Sequence, residues 1–425
     1  MAGAVPVELI IALLLILAAA KVFGEIFEKL KQPAIVGELL AGIILGPSLL
    51  NFLDPLSLAA GDPMAILLDV LTTLAIFFVV FYAGVELHMK DFYEVMLGKS
   101  MYIAVGSFII TYLMGFLVGL YFLGTYLGAL FLGLCISITA LPVSVKILND
   151  LGRLHTRTGS AIIGTAIVHD VISFSMLGVL IGISAEGGGS DPWHLSMMLL
   201  KIALFMSIIF AAERSFHIKD GWLAKKFSGF MSKLKTKEAQ FSVALIIALY
   251  FAVLAEFLGL SYIIGAFYGG LLISQKIIGT DNFRNLKSGI SSISMGFFAP
   301  IFIAYLGLMF DLKELGSVMA MFLAVLAVGM LSKFLSGFLA SRMAGYSILE
   351  SKIIGTGINA RGMMEMVIAI TAFKYGFIDR AFFTILIALA LITTVITPGI
   401  LRHLYRGLPA AHDAPPSDTA AEVGR

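Results

Sequence analysis

Residues 34–45 read Ala34-Ile-Val-Gly-Glu-Leu-Leu-Ala-Gly-Ile-Ile-Leu45, and residues 262–273 read Tyr262-Ile-Ile-Gly-Ala-Phe-Tyr-Gly-Gly-Leu-Leu-Ile273. Both stretches are apolar, both carry glycine at their fourth and ninth positions, and the second lies 228 positions after the first. Another pair follows in the same order: Ala83-Gly-Val-Glu-Leu-His-Met-Lys-Asp91 matches Leu306-Gly-Leu-Met-Phe-Asp-Leu-Lys-Glu314 at an offset of 223. Matching order at a near-constant offset predicts an internal duplication rather than chance recurrence of glycine-rich helix packing.

The surrounding composition says what was duplicated. Of 425 residues, 59% are hydrophobic and 13% charged, about half the usual charged share of roughly 25%. A soluble enzyme, a disordered chain and a coiled coil are excluded. Lys and Arg number 29 against 27 Asp and Glu, so no basic excess points to nucleic acid. The lone Cys135 rules out an internal disulfide and a thiolate metal cluster, and reads as a small core residue. Long apolar runs without ten-residue alternation argue for helices rather than a barrel. The class that remains is an all-α integral membrane protein.

At roughly 20 apolar residues per crossing, about 13 transmembrane helices are expected. They lie at about 5–23, 33–50, 64–87, 100–123, 126–148, 158–184, 193–212, 239–258, 259–275, 289–310, 316–340, 349–373 and 381–404. The first apolar run lacks a basic leader and is taken as the first span, not a cleaved signal. With the N-terminus outside, all Lys and Arg but six fall on the inner side. Lys313, Lys374 and Arg380 lie outside; Lys201, Lys333 and Arg361 lie within spans. A missed span would scramble this alternation, so the C-terminus is expected in the cytoplasm and the protein in the inner or plasma membrane.

The organisation expected is therefore residues 1–212 as a first six-helix repeat plus a linker helix, 213–238 as a cytoplasmic linker, 239–406 as a second repeat, and 407–425 as a disordered tail. Within 213–238, Trp222, Leu223, Phe227, Phe230, Met231 and Leu234 alternate with lysines, which suits an amphipathic helix on the inner leaflet. The odd number of spans per offset sets the two repeats in opposite orientations. Inverted repeats imply a transporter with a midplane site formed by interrupted helices. Interruptions occur at equivalent places: Ser137-Ile-Thr-Ala-Leu-Pro142 in the fifth span and Gly355-Thr-Gly-Ile-Asn-Ala-Arg-Gly362 in the twelfth. Two crossed broken helices would present free carbonyls and helix ends to an ion.

An ionisable group at mid-membrane costs at least about 2.5–3.5 kcal/mol, so it is a functional hypothesis by default. Asp170 sits near the middle of the sixth span, in Ile163-Gly-Thr-Ala-Ile-Val-His-Asp-Val-Ile-Ser-Phe174. A carboxylate there can hold a proton or a small cation, not both at once. Ser173, on the same helical face, and Thr139 and Ser137, in the fifth-span break, are candidate oxygen ligands. His169 is expected to tune or support the site. Arg361 keeps its proton and is read as the fixed charge that balances the core, with Glu365 four residues on, Glu38 or Glu86 as its acid. Lys333 is expected to snorkel inward, and Asp69 to be interfacial.

With these residues in place, the chain resembles the monovalent cation:proton antiporter superfamily, in particular the branch with Kef-type and NapA-type transporters. Gly37-Glu-Leu-Leu-Ala-Gly-Ile-Ile-Leu-Gly-Pro47, the Ser137–Pro142 break, Asp170 and Ala360-Arg-Gly362 carry the resemblance, which covers about residues 5–405. It implies a NapA/NhaA-like antiporter fold with two crossed broken helices, a homodimer, elevator-type alternating access, and Asp170 as the cation-binding carboxylate. Electrogenic members carry Asp-Asp where this chain has His169-Asp170. The expected function is exchange of Na⁺ or K⁺ for H⁺, competing at Asp170 and moving no net charge, with membrane lipids around it, no enzyme activity and no cofactor. The alternatives are a sodium-coupled symporter of an organic anion and a non-transporting membrane sensor.

Overall fold

A computed structural model describes residues 7–59, 61–87, 95, 98–185, 192–217, 236–273 and 280–408. The expected amphipathic helix and the expected disordered tail fall almost wholly outside these residues. The described chain is helical, without a strand. Its elements are α1 (Val7–Lys29), α2 (Ala34–Leu45), α3 (Pro63–Glu86), α4 (Lys99–Leu123), α5 (Tyr126–Ser137), α6 (Leu141–Asp150), α7 (Arg157–Ala185), α8 (Pro192–His217) and α9 (Lys237–Phe257). There follow α10 (Tyr262–Leu271), α11 (Thr280–Ile293), a π turn (Ser294–Phe298), α12 (Ala299–Met309), α13 (Leu312–Ser317), α14 (Met319–Met343), α15 (Ile348–Gly357), α16 (Met363–Lys374) and α17 (Arg380–Arg406). A helix or a pair of half-helices lies at each stretch expected to cross. Among the described residues, nine helical segments are long and apolar enough to cross a membrane, and α2 and α10 are shorter apolar helices. This is an all-α membrane protein.

Local signals set the ends. Ser347 and Glu350 form a reciprocal capping box at the start of α15. Asp379 caps α17 by accepting from Phe382 N, and Asp311 caps α13. Pro142 stands in the first turn of α6, where its missing N–H costs nothing. The proline thus starts a new helix after the interruption instead of bending a continuous one.

The chain divides into two compact units: residues 1–65, 91–173 and 303–425, and residues 66–90 and 174–302. In the first, α2 packs on α1 and α12 through glycine. A Cβ on Gly37 would stand 2.2 Å from Phe23 O, and one on Gly42 1.9 Å from Ala304 O, while Gly307 backs onto Leu39 O and Gly42 Cα. In the second, α10 packs on α9 and α3 by the same device. A Cβ on Gly265 would stand 2.2 Å from Phe251 O, and one on Gly270 2.5 Å from Phe81 O, beside Gly84. Backbones this close admit no side chain, as membrane helix pairs commonly require. The residues correspond by the sequence offsets: Phe23, Gly37 and Gly42 to Phe251, Gly265 and Gly270, and Gly84 to Gly307.

Candidate functional site

Both interruptions are present, and they hold each other. α5 stops at Ser137 and α6 begins at Leu141; α15 stops at Gly357 and α16 begins at Met363. Thr139 Oγ1 donates to Ile358 O at 2.7 Å, and Ala140 N–H donates to Ala360 O at 3.0 Å. Glycine permits the approach, since a Cβ on Gly362 would lie 2.7 Å from Ala140 Cβ.

A helix that ends in the protein interior exposes its last carbonyls and the negative end of its dipole. Every such group of α5 has a partner. Leu134 O accepts from Ser137 Oγ at 3.0 Å. Arg361 Nη1 donates to Cys135 O and Nη2 to Ile136 O, each at 3.0 Å. Lys333 Nζ donates to Ser137 O. Two buried cations therefore cap one helix end. Arg361 also pairs with Glu365 Oε1 at 2.7 Å, both side chains being 1% exposed, and reaches Gly329 O at 3.4 Å. Thr394 Oγ1 donates to Arg361 O at 2.9 Å and fixes the backbone that presents the guanidinium.

Lys333 overturns the snorkelling expectation. It is 0% exposed, because the carbonyl end of α5 offers its ammonium a partner inside that the sequence does not display. Its Nζ also lies 3.3 Å from His169 Nδ1 and within electrostatic reach of Arg361, Glu365 and Asp170.

His169 and Asp170 sit near the middle of α7, both buried. His169 Nε2 is 3.0 Å from Ala104 O and 3.2 Å from Ser107 Oγ. A backbone carbonyl only accepts, so Nε2 carries the hydrogen. Nδ1 lies 2.9 Å from Thr139 Oγ1 and 3.3 Å from Lys333 Nζ. Phe108 packs edge-on against the imidazole at 5.5 Å. His169 thus ties α7 to α4 and to the fifth-span break, leaving Asp170 as the acid that this helix brings to the same region. Ser173, one turn further on, is fully buried and its hydroxyl has no hydrogen-bond partner among the described residues.

Of the residues singled out in the sequence, Ser137, Thr139, His169, Arg361 and Glu365 are brought into one bonded network, and Asp170 and Ser173 lie on the helix that joins it. Ser137 contributes a carbonyl already taken by Lys333. Glu38 is not in the network; it pairs with Lys21 of α1 at 3.6 Å. Glu86 faces Lys287 at 3.8 Å, so Glu365 is the acid that balances Arg361. Asp69 is exposed on α3. Sequence reasoning missed Lys333 as a cap, Ala104 and Ser107 as the histidine's partners, and Thr394.

Two interrupted helices bonded to each other at their breaks, within an all-helical chain with nine segments among the described residues long and apolar enough to cross a membrane, define a polytopic helical membrane protein. The chain belongs to the sodium/hydrogen exchanger transmembrane family, whose pattern matches residues 10–407. It is 29% identical to the Na(+)/H(+)-K(+) antiporter GerN of Bacillus cereus over 94% of this chain and 96% of that protein. It is 25% identical to a Na(+)/H(+) antiporter of Enterococcus hirae over 94% and 98%. Its fold is similar to that of the sodium proton antiporter MjNhaP1 from Methanocaldococcus jannaschii, with a TM-score of 0.71 at 18% identity over 95% and 97% of the two chains.

Proposed function

We propose that this protein is a secondary active antiporter that exchanges a monovalent cation, Na⁺ or K⁺, for a proton, the two competing for Asp170. The observation that carries this reading is Asp170 itself, 2% exposed, next to the histidine that approaches the fifth-span break. Two buried cations of the network have partners there: Arg361 holds Glu365 and two carbonyls, and Lys333 holds Ser137 O. Asp170 is the acid that α7 brings beside them, and a single carboxylate can be neutralised by a proton or by a small cation, one at a time. Cation/proton antiport is also what the names of the relatives state.

The cycle runs by elevator-type alternating access in a homodimer, with the N-terminus outside and the C-terminus in the cytoplasm. The glycine contacts repeated at the sequence offset support two inverted repeats of one ancestral unit, the usual basis for such access. One proton for one cation at Asp170 moves no net charge. The test uses proteoliposomes containing a pH-sensitive dye. Cation-driven proton flux without any organic substrate is expected. Flux that requires an organic anion would make the protein a symporter, and no flux under any gradient would make it a sensor.

A further inference from the structure

One buried oxygen at the crossing takes no part in the network described above. Asn359 lies between α15 and α16 and is 6% exposed. Its Nδ2 donates to Met330 O of α14 at 3.2 Å. That bond fixes the sense of the amide, because an oxygen turned toward Met330 O would be repelled. Oδ1 is left as an acceptor, and it receives no hydrogen bond among the described residues.

Its neighbours along the chain make their bonds to other groups. On one side Ile358 O accepts from Thr139, and on the other Ala360 O accepts from Ala140 N–H. Asn359 N–H itself donates to Thr356 O at 3.1 Å. The nearest cationic side chain in sequence, Arg361, directs Nη1 and Nη2 to the end of α5 and to Glu365. A buried amide oxygen without a bond is costly and calls for a ligand. Thr139, whose hydroxyl donates to the carbonyl of the residue before Asn359, also lies 2.9 Å from a ring nitrogen of His169, the neighbour of Asp170. Asn359 thus adjoins the break that the helix carrying Asp170 approaches. A partly dehydrated monovalent cation needs neutral oxygens beside its one carboxylate.

We propose that Asn359 Oδ1 is a ligand of the transported cation, acting with Asp170 and Ser173, and that this neutral oxygen helps set which monovalent cation is carried. The proposal rests on the exchange reading above. A neutral dipole adds attraction without adding charge, so it tunes the preference among Li⁺, Na⁺ and K⁺ through ligand number and field strength while leaving the stoichiometry untouched.

The experiment measures KM and kcat for LiCl, NaCl and KCl in proteoliposomes, with thermal stabilisation of the detergent-solubilised protein by each salt against choline chloride. For N359A we expect the KM of the best-carried cation to rise about tenfold, the size of one lost contact to a charge. The three KM values should draw together, and the cation-specific thermal shift should disappear. KM values and their order equal to those of the parent would overturn the proposal. If N359A carries no flux, the thermal shift decides: its loss supports the assignment, and its retention overturns it. If N359A does not fold, N359D, which keeps the shape and one oxygen, is used. A changed order or ratio of the three KM values supports the proposal, and an unchanged one overturns it. A parent protein without cation-driven proton flux in these vesicles would instead remove the exchange reading.

Discussion

Asp170 and Arg361 are both buried, and the proposed exchange gives them opposite duties. Asn at position 170 preserves shape and removes both charge and titration. Asp170→Asn is therefore expected to abolish cation-driven proton flux while the purified protein stays monodisperse with an unchanged helical circular dichroism spectrum. Residual coupled flux above that of empty vesicles would refute the assignment of Asp170. Arg361 is a matter of stability first. Its removal strands the Glu365 carboxylate and uncovers Cys135 O and Ile136 O, and breaking a buried pair costs about 3–5 kcal/mol. Arg361→Ala should lower the thermal midpoint in detergent substantially, with loss of flux. Arg361→Lys should lie between Ala and the parent, because it restores the charge but not the planar fork. Equal midpoints for all three proteins would place the guanidinium outside the balance of charge proposed here.

Among the elements, the glycine contacts are the most exacting feature. A methyl group on Gly42 would fall 1.9 Å from Ala304 O, a backbone atom that cannot rotate away. Gly42→Ala and its counterpart Gly270→Ala are each expected to destabilise by about 1–3 kcal/mol or more through helix separation. Gly399 is the internal contrast: it lies within α17 and a Cβ there meets nothing within 4 Å. Gly399→Ala should stabilise by about 0.4–1 kcal/mol, by removing unfolded-state freedom in a helical position. Thermal midpoints of the three variants check the contrast. A Gly42→Ala protein as stable as the parent would show that close backbone approach is not what joins α2 to α12.

At the scale of the whole molecule, the consequence is the charge carried per cycle. If Asp170 alone exchanges ligands while Arg361, Lys333 and His169 keep theirs, the cycle is one proton for one cation. The null-flux point should then depend on the two ion gradients and not on an imposed membrane potential. A null point that moves with potential would show a second proton carrier. The structure names the variants that identify it: His169→Gln and Lys333→Gln, whose side chains meet at 3.3 Å. Competition makes a companion expectation. Lowering the pH on the cation side should raise the apparent cation KM and leave the maximal rate unchanged.

Much of this was legible in the amino-acid order, for physical reasons that act locally. Apolar runs of membrane length, the lysine and arginine bias, the glycine-spaced repeats and the placement of Pro142 and of Gly355–Gly362 determine a helical membrane protein with two interrupted helices. The cost of burying Asp170 and Arg361 marks them without any knowledge of their neighbours. What the order could not reveal is which distant group answers each buried one. The end of α5 is a set of backbone carbonyls common to any sequence, so nothing in the residues announces that Lys333 turns inward to meet Ser137 O. Helical spacing put Glu365 within reach of Arg361 but left Glu38 and Glu86 open as alternatives; packing puts Glu365 at 2.7 Å and gives the others to Lys21 and Lys287. The same holds for His169, whose tautomer is set by the carbonyl of Ala104, a residue 65 positions away. Helix formation depends on neighbours along the chain and is written there; the pairing of buried polar atoms depends on the tertiary crossing of the half-helices and is decided only by it.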